Sequence, residues 1–189
     1  MTPLQLETIA SDVWRWLGEA LAHRDGPLRT PVVATVDRRG EPEARTVVLR
    51  AVDPSAWMLE FHTDVRSGKY RSLQARREVS WLFYDPERLL QIRADGEASL
   101  HTDDAIADAS WAADPLASRA PYLAEADPGT PIEAPAPAVF VRDEAHSMQG
   151  RPNFCAVRCA IRTLDVLQLH PEGHRRARVQ RGSAHWIVP

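Results

Sequence analysis

From Thr30 to His101 the chain repeats one pattern: a short run rich in Val, Ile, Leu, Phe and Trp, then a turn built on Asp, Pro or Gly. β-Branched and aromatic side chains suit a pleated, half-buried surface, and Asp/Pro/Gly clusters interrupt it. Many short strands at close intervals bury their apolar faces by curling into an antiparallel barrel or sandwich. Strands are expected at 31–36, 44–52, 57–62, 79–84 and 89–101, with a turn at 37–42 around Gly40 and another at Asp85-Pro86-Glu87. Gly96, inside the longest run, predicts a bulge. The pattern returns at 154–161, 165–169, 175–179 and 185–188.

Helices flank this sheet. Thr2-Pro3-Leu4-Gln5 combines an N-cap, a first-turn proline and a capping-box glutamine, and Leu6, Ile9, Val13, Leu17 and Leu21 follow at three- and four-residue spacing. They predict an amphipathic helix over about 3–23, ended by Asp25-Gly26-Pro27. Two shorter helices are expected, one at 67–76 and one at 105–112, the latter capped by Thr102-Asp103-Asp104. Residues 114–137 are rich in Ala and Pro and read as a loop with at most a short helix near 118–125. With 189 residues, 44% of them hydrophobic, and no internal repeat, a single domain spanning 1–189 is expected.

A net charge of -3 gives no global attraction toward nucleic acid or an anionic membrane. Neither a signal peptide nor an apolar stretch long enough to span a bilayer occurs, so a cytoplasmic protein is expected. Cys155 and Cys159, four apart on a strand, would sit roughly 13 Å apart, too far to bridge. They read as buried free thiols, and the seven scattered histidines form no metal-ligand pattern.

Two clusters carry chemistry. Arg45-Thr46-Val47-Val48-Leu49-Arg50 places arginines five apart, on opposite faces of a regular strand. Phe61-His62-Thr63-Asp64-Val65-Arg66-Ser67-Gly68-Lys69 leaves a strand through hydroxyl-rich residues and enters a helix. Amides at a helix N-terminus, the hydroxyls of Thr63 and Ser67 and the ammonium of Lys69 suit a phosphate dianion.

The order of these clusters, followed by Gln91-Ile92-Arg93 and Gly96-Glu97-Ala98, resembles the pyridoxamine 5'-phosphate oxidase family. The resemblance is close over 31–99 and weaker through Asn153-Phe154-Cys155, 165–169, His174-Arg175-Arg176 and 186–189. It implies a split β-barrel, mainly β with flanking helices, forming a homodimer with FMN at the interface and a small-molecule substrate. It further implies that Arg45 and Lys69 contact the FMN phosphate, with Thr63 and Ser67 beside it. Thr46 and Val47 to Leu49 would lie along the isoalloxazine, with His62 beside the cofactor, and Arg50 on the substrate side. Gln91 and Arg176 would reach the flavin across the dimer, with Arg178 on the same strand face as the alternative to Arg176.

Departures from the family pattern bear on function. The family's Ser-Arg-Lys is Ser67-Gly68-Lys69 here, with Arg66 as a candidate substitute for the missing cation. The expected tryptophan falls on Val166, and the substrate-phosphate residues fall on Ser110, Asp114 and Glu172. Carboxylates there repel a phosphate, which speaks against pyridoxamine phosphate as substrate. The implied activity is that of an FMN-dependent oxidoreductase on a small organic molecule, a non-catalytic flavin-binding or flavin-storing module being the alternative.

Overall fold

The computed structural model describes residues 3–23, 25–136 and 138–189. Its centre is one nine-stranded antiparallel sheet built from β1 (Val32–Val36), β2 (Pro42–Thr46), β3 (Ala51–Asp53), β4 (Met58–Asp64), β5 (Glu78–Asp85), β6 (Leu90–His101), β7 (Phe154–Gln168), β8 (Arg175–Gln180) and β9 (Ser183–Ile187). The order is β2-β1-β5-β6-β7-β4-β3, with β8 and β9 branching from β7. α1 (Ile9–Ala22), α2 (Gly68–Ala75), α3 (Ala105–Ala113) and α4 (Glu144–Ser147) surround it.

The branch arises in β7, which pairs β6 along its length while its other edge meets β4 through 154–160 and β8 through 163–168. The sheet splits where these two partners part. At this level Gly96 sits in the expected bulge, where the β6–β7 register shifts between Asp95 and Gly96. Alternation along β5 sends Val79, Trp81 and Phe83 inward, against Phe61 and Leu59 of β4, Ile92 of β6 and Leu164 of β7, all buried. α1 covers one end with Ile9, Val13 and Leu17, and Trp14 packs on Trp57 with centroids 5.6 Å apart. Burying each such side chain stabilises the fold by about 1.5–3 kcal/mol. Of the six tryptophans, Trp14, Trp57, Trp81 and Trp111 are buried and Trp186 is exposed. Cys155 and Cys159 are free and buried, and burial pushes both thiols up to about 12.

Several boundaries differ from those expected. α1 begins at Ile9, because the preceding segment is anchored instead of coiled: the Leu4 N–H donates to Gln168 Oε1 (3.0 Å) and Arg175 donates to the Leu4 carbonyl (2.9 Å). The expected cap at Thr2 lies outside the described residues. The run at 44–52 is two strands, β2 and β3, with a change of partner between them. Val47 and Leu49 donate to the carbonyls of Pro31 and Arg29 (both 2.9 Å), and Arg50 then donates to Glu60 (2.8 Å). A uniformly apolar run carries no mark of such a switch. Conversely, 154–168 is one strand where two were expected, the polar Arg162-Thr163 lying at the bulge. Residues 116–123 form a 3-10 helix near the expected position, whereas α4 and the 3-10 turn Met148–Asn153 were not foreseen.

Candidate functional site

Three groups of polar and charged side chains occupy separate regions of this sheet. The first is a cradle at the end of β4. Ser67 caps α2, its hydroxyl accepting from the Tyr70 N–H (3.3 Å), which also fixes it beside the Thr63 hydroxyl at 3.0 Å. Lys69 Nζ donates to Thr63 Oγ1 (3.1 Å). From β2, Arg45 reaches the same rim, donating to Thr35 Oγ1 (2.8 Å), to the Val33 carbonyl (3.3 Å) and to Glu43 (3.0 Å). Burial, reinforced by the nearby charge of Arg45, lowers the pKa of the Lys69 ammonium, and burial lowers that of Arg45 too. Two desolvated cations with two buried hydroxyls at a helix N-terminus form a site suited to a dianion. A Cβ on Gly68 would meet no atom within 4 Å, so the cation absent here has open space. Arg66 does not replace it: its guanidinium is committed to Asp64 (3.0 and 2.7 Å) and to the Ala124 carbonyl (2.9 Å).

The second group lies on the outer face of the sheet. Cross-strand register aligns Tyr84, Gln91, Leu167 and Arg176 in one row, and Thr46, Val32, Leu82, Arg93, Asp165 and Arg178 in the next. Arg45 belongs to the opposite, inward row with Val33, Trp81, Ala94 and Leu164. Gln91 and Arg176 thus share one face, and both Arg176 and Arg178 meet Asp165 there. Val48, Leu82 and Tyr84 leave apolar surface exposed. The Val47 and Leu49 side chains are in the core and their N–H groups are bonded within the fold. Of the three, only Val48 presents its side chain outward.

The third group was invisible as a unit in the sequence. His62, one residue from Thr63, points to the other side of β4, into a cleft of about 460 Å³ between the C-terminal ends of α1 and α3. Both ring nitrogens face carboxylates, Nδ1 on Asp114 (2.9 Å) and Nε2 on Glu60 (3.0 Å), so the ring donates twice as imidazolium. Arg50 closes one end on Asp114 (3.1 Å), and Arg158 closes the other on Glu60 (2.8 Å), which also accepts from Ser110 (2.7 Å). Signs alternate along the row. Burial opposes the charge of His62, but its bonds to Asp114 and Glu60 outweigh this and raise its pKa. Burial likewise pushes Glu60 up, and bonds from His62, Ser110 and Arg158 pull it down to about 2. His62 therefore belongs to the cleft, not to the phosphate cradle, with Arg50, Ser110 and Asp114 beside it. Glu60 and Arg158 had no local sequence signal, since the strand pairing that joins them spans distant segments. Among the described residues no set of three or more His, Cys, Asp or Glu is disposed to hold a metal ion. Of the other departures, Val166 is buried in the core, and Glu172 lies exposed in the β7–β8 turn.

The pKa directions fix a pH window. A raised His62 pKa means that its contribution is complete below its usual 6.5 and fades as pH rises through the raised value. The lowered Glu60 contributes fully above 4.5 and fades as pH falls toward about 2. His62→Asn is expected to destabilise by about 2 kcal/mol between those limits, where the charged ring is lost from two buried acids. Melting curves should show the difference from wild type shrinking above pH 6.5, and a pH-independent gap would contradict the imidazolium.

Comparison with known proteins places the cradle in context. Residues 11–102 match the family model of the pyridoxamine 5'-phosphate oxidase FMN-binding domain. The pyridoxine/pyridoxamine 5'-phosphate oxidase of Paraburkholderia phytofirmans is 36% identical over 104 residues, 55% of this chain and 47% of that protein. That of Coxiella burnetii is 28% identical over 89 residues, 47% of this chain and 44% of its own length. The chain thus spans about half the length of these curated relatives. Among solved structures, a pyridoxamine 5'-phosphate oxidase-related FMN-binding protein from Nostoc punctiforme superposes with a TM-score of 0.72 at 24% identity, covering 100% of both chains. PhzG from Burkholderia lata, solved with tetrahydrophenazine-1-carboxylic acid, gives 0.69 at 20% identity, covering 95% of this chain and 91% of its own. At these identities the likeness is one of fold. Residues 11–102 thus resemble the pyridoxamine 5'-phosphate oxidase FMN-binding domain, and the chain has the split-barrel fold of its structural neighbours.

Proposed function

We propose that the protein is an FMN-dependent oxidoreductase acting on a small, non-phosphorylated organic substrate, and that it works as a homodimer. The observation that carries this is the contrast between two charged sites: the cradle of Arg45 and Lys69 has cations lacking a full complement of anions, whereas the cations of the cleft are already paired. In this reading Arg45, Lys69, Thr63 and Ser67 hold the FMN phosphate, and Thr46 and Val48 face the ring from the outer side. Gln91 and Arg176 come from a second copy, as the resemblance implies, and they share one face of the sheet. When bound, FMN supplies reversible two-electron chemistry toward a small organic molecule. Arg50 flanks the substrate, but Asp114 at 3.1 Å answers its charge. A phosphate entering there displaces that carboxylate and faces Glu60 as well, so a vitamin phosphate is disfavoured.

One observation favours the second reading, a flavin-binding or storage module: His62, the natural proton carrier of the cleft, is engaged at both ring nitrogens. Oxygen consumption by the FMN-loaded protein separates the two. Turnover of non-phosphorylated amines, alcohols or ring compounds with little or none of pyridoxamine phosphate supports the oxidoreductase. Inertness toward all of them supports storage, and a protein that takes up no FMN sinks both.

Gly68→Arg offers a gain-of-function check on the cradle. It occupies the first position of α2, where the added side chain meets no obstruction. One charge-assisted contact is worth about 1.5 kcal/mol or more, so FMN affinity is expected to rise about tenfold. A fluorescence titration showing weaker binding would place the phosphate elsewhere.

A further inference from the structure

Asp165 lies on β7 at the middle of the outer face and is 1% exposed. Arg176 forks onto it, Nε to Oδ1 and an outer nitrogen to Oδ2, both at 2.9 Å. Arg93 from β6 approaches the same carboxylate at 3.4 Å and Arg178 from β8 at 3.8 Å. Arg93 also meets Asp95 at 3.3 Å, and Asp95 accepts from Ser80 at 2.5 Å. The face thus gathers three guanidiniums around two carboxylates, and Asp165 is the one that all three share.

We propose that Asp165 sets the strength of the positive field that Arg176 presents to the flavin ring. It is a positioning residue, acting through Arg176, and the inference rests on the reading that Arg176 of a second copy reaches that ring. Two effects follow from the fork. It fixes the plane of a side chain that otherwise samples many rotamers, leaving the Nη1 edge outside the pair. It also sets an anion directly behind the cation. Being of opposite sign and in contact with the guanidinium, the carboxylate cancels part of the cation's pull. A cation at the ring's pyrimidine edge favours the negative charge that this edge gains on reduction, so the attenuating acid holds the reduction potential down. Glu97 and Arg162, farther along the sheet, are exposed and 3.9 Å apart, and solvent screens their influence.

The experiment is a potentiometric titration of the FMN-loaded protein against a reference dye, with FMN retention followed by absorbance. Asp165→Asn is isosteric and removes only the charge. It is expected to shift the oxidised-to-reduced equilibrium at least tenfold toward reduction, about 30 mV upward for a two-electron couple. Asp165→Glu should return the potential toward wild type, and Arg176→Gln should lower it. If Arg176→Gln lowers the potential while Asp165→Asn leaves it unchanged or lowers it, the inference is overturned and the placement of Arg176 stands. If neither variant moves the potential of a protein that still holds FMN, both are overturned. Should Asp165→Asn alone fail to fold for want of the buried acid, the double variant Asp165→Asn with Arg93→Gln removes one charge of each sign. It must still raise the potential, and a double variant at the wild-type value overturns the inference.

Discussion

Replacing Arg45 and Lys69 together by alanine is expected to abolish retention of FMN. Both cations are partly desolvated, and the charge of Arg45 further disfavours that of Lys69, a tension that a bound dianion relieves. Charge-assisted contacts are worth about 1.5–3 kcal/mol each, so losing two weakens binding by roughly 10²- to 10⁴-fold. Arg45 also holds Thr35 and the Val33 carbonyl, so part of its individual loss will be structural, whereas among the described residues Lys69 donates to Thr63 alone. The single Lys69→Ala variant therefore isolates the electrostatic share. Arg162→Ala, on an exposed side chain, serves as control. Fluorescence titration of each variant with FMN gives the affinities, and an unchanged value in the double variant would mean that the phosphate binds elsewhere. Raising the salt concentration should weaken wild-type binding and leave the double variant almost unaffected, since screening acts on the charges removed.

Gly96→Ala is expected to cost more than about 3 kcal/mol of stability, at or beyond the upper end of ordinary overpacking. A Cβ at this position would lie 2.2 Å from the Ala160 carbonyl oxygen and 2.9 Å from its carbon. The obstacle is backbone of β7, held in ladders with β6 on one side and β4 on the other, and it cannot yield without breaking them. The same bulge lets β7 exchange β4 for β8, so the damage spreads to both halves of the barrel. Denaturant unfolding measures it; a midpoint close to wild type would show that the strands can slide apart locally at little cost.

Elements whose cause is local were legible in the sequence. Ser67 announces the start of α2 and Asp104 that of α3, because an N-cap is a contact between near neighbours. Gly96 marked its bulge for the same reason. The start of α1 was misplaced because the cap signals around Pro3 lost to long-range bonds from Gln168 and Arg175, which no local pattern reports. The meeting of Thr63, Ser67 and Lys69 was readable, because they are near neighbours around one helix start. The cleft was not, since Arg50, Glu60, His62, Asp114 and Arg158 meet only after β4 pairs with β7 and α3 folds back over them. Sequence spacing also gave no reason to pair Asp165 with three arginines on two other strands.

The two-sided character of β4 has a practical outcome for anyone redesigning this protein. Thr63 serves the cradle, while Glu60 and His62, on the opposite side of the same strand, serve the cleft. In the proposed reading, substitutions at Glu60 and His62 therefore alter the cleft while leaving the Thr63 side of the strand, and with it the cradle, in place. The two sets are also inseparable in a different sense: an inserted or deleted residue within the strand exchanges their faces at once, sending imidazole inward and hydroxyl outward. Substitution libraries suit this strand, and length variation belongs in its flanking turns.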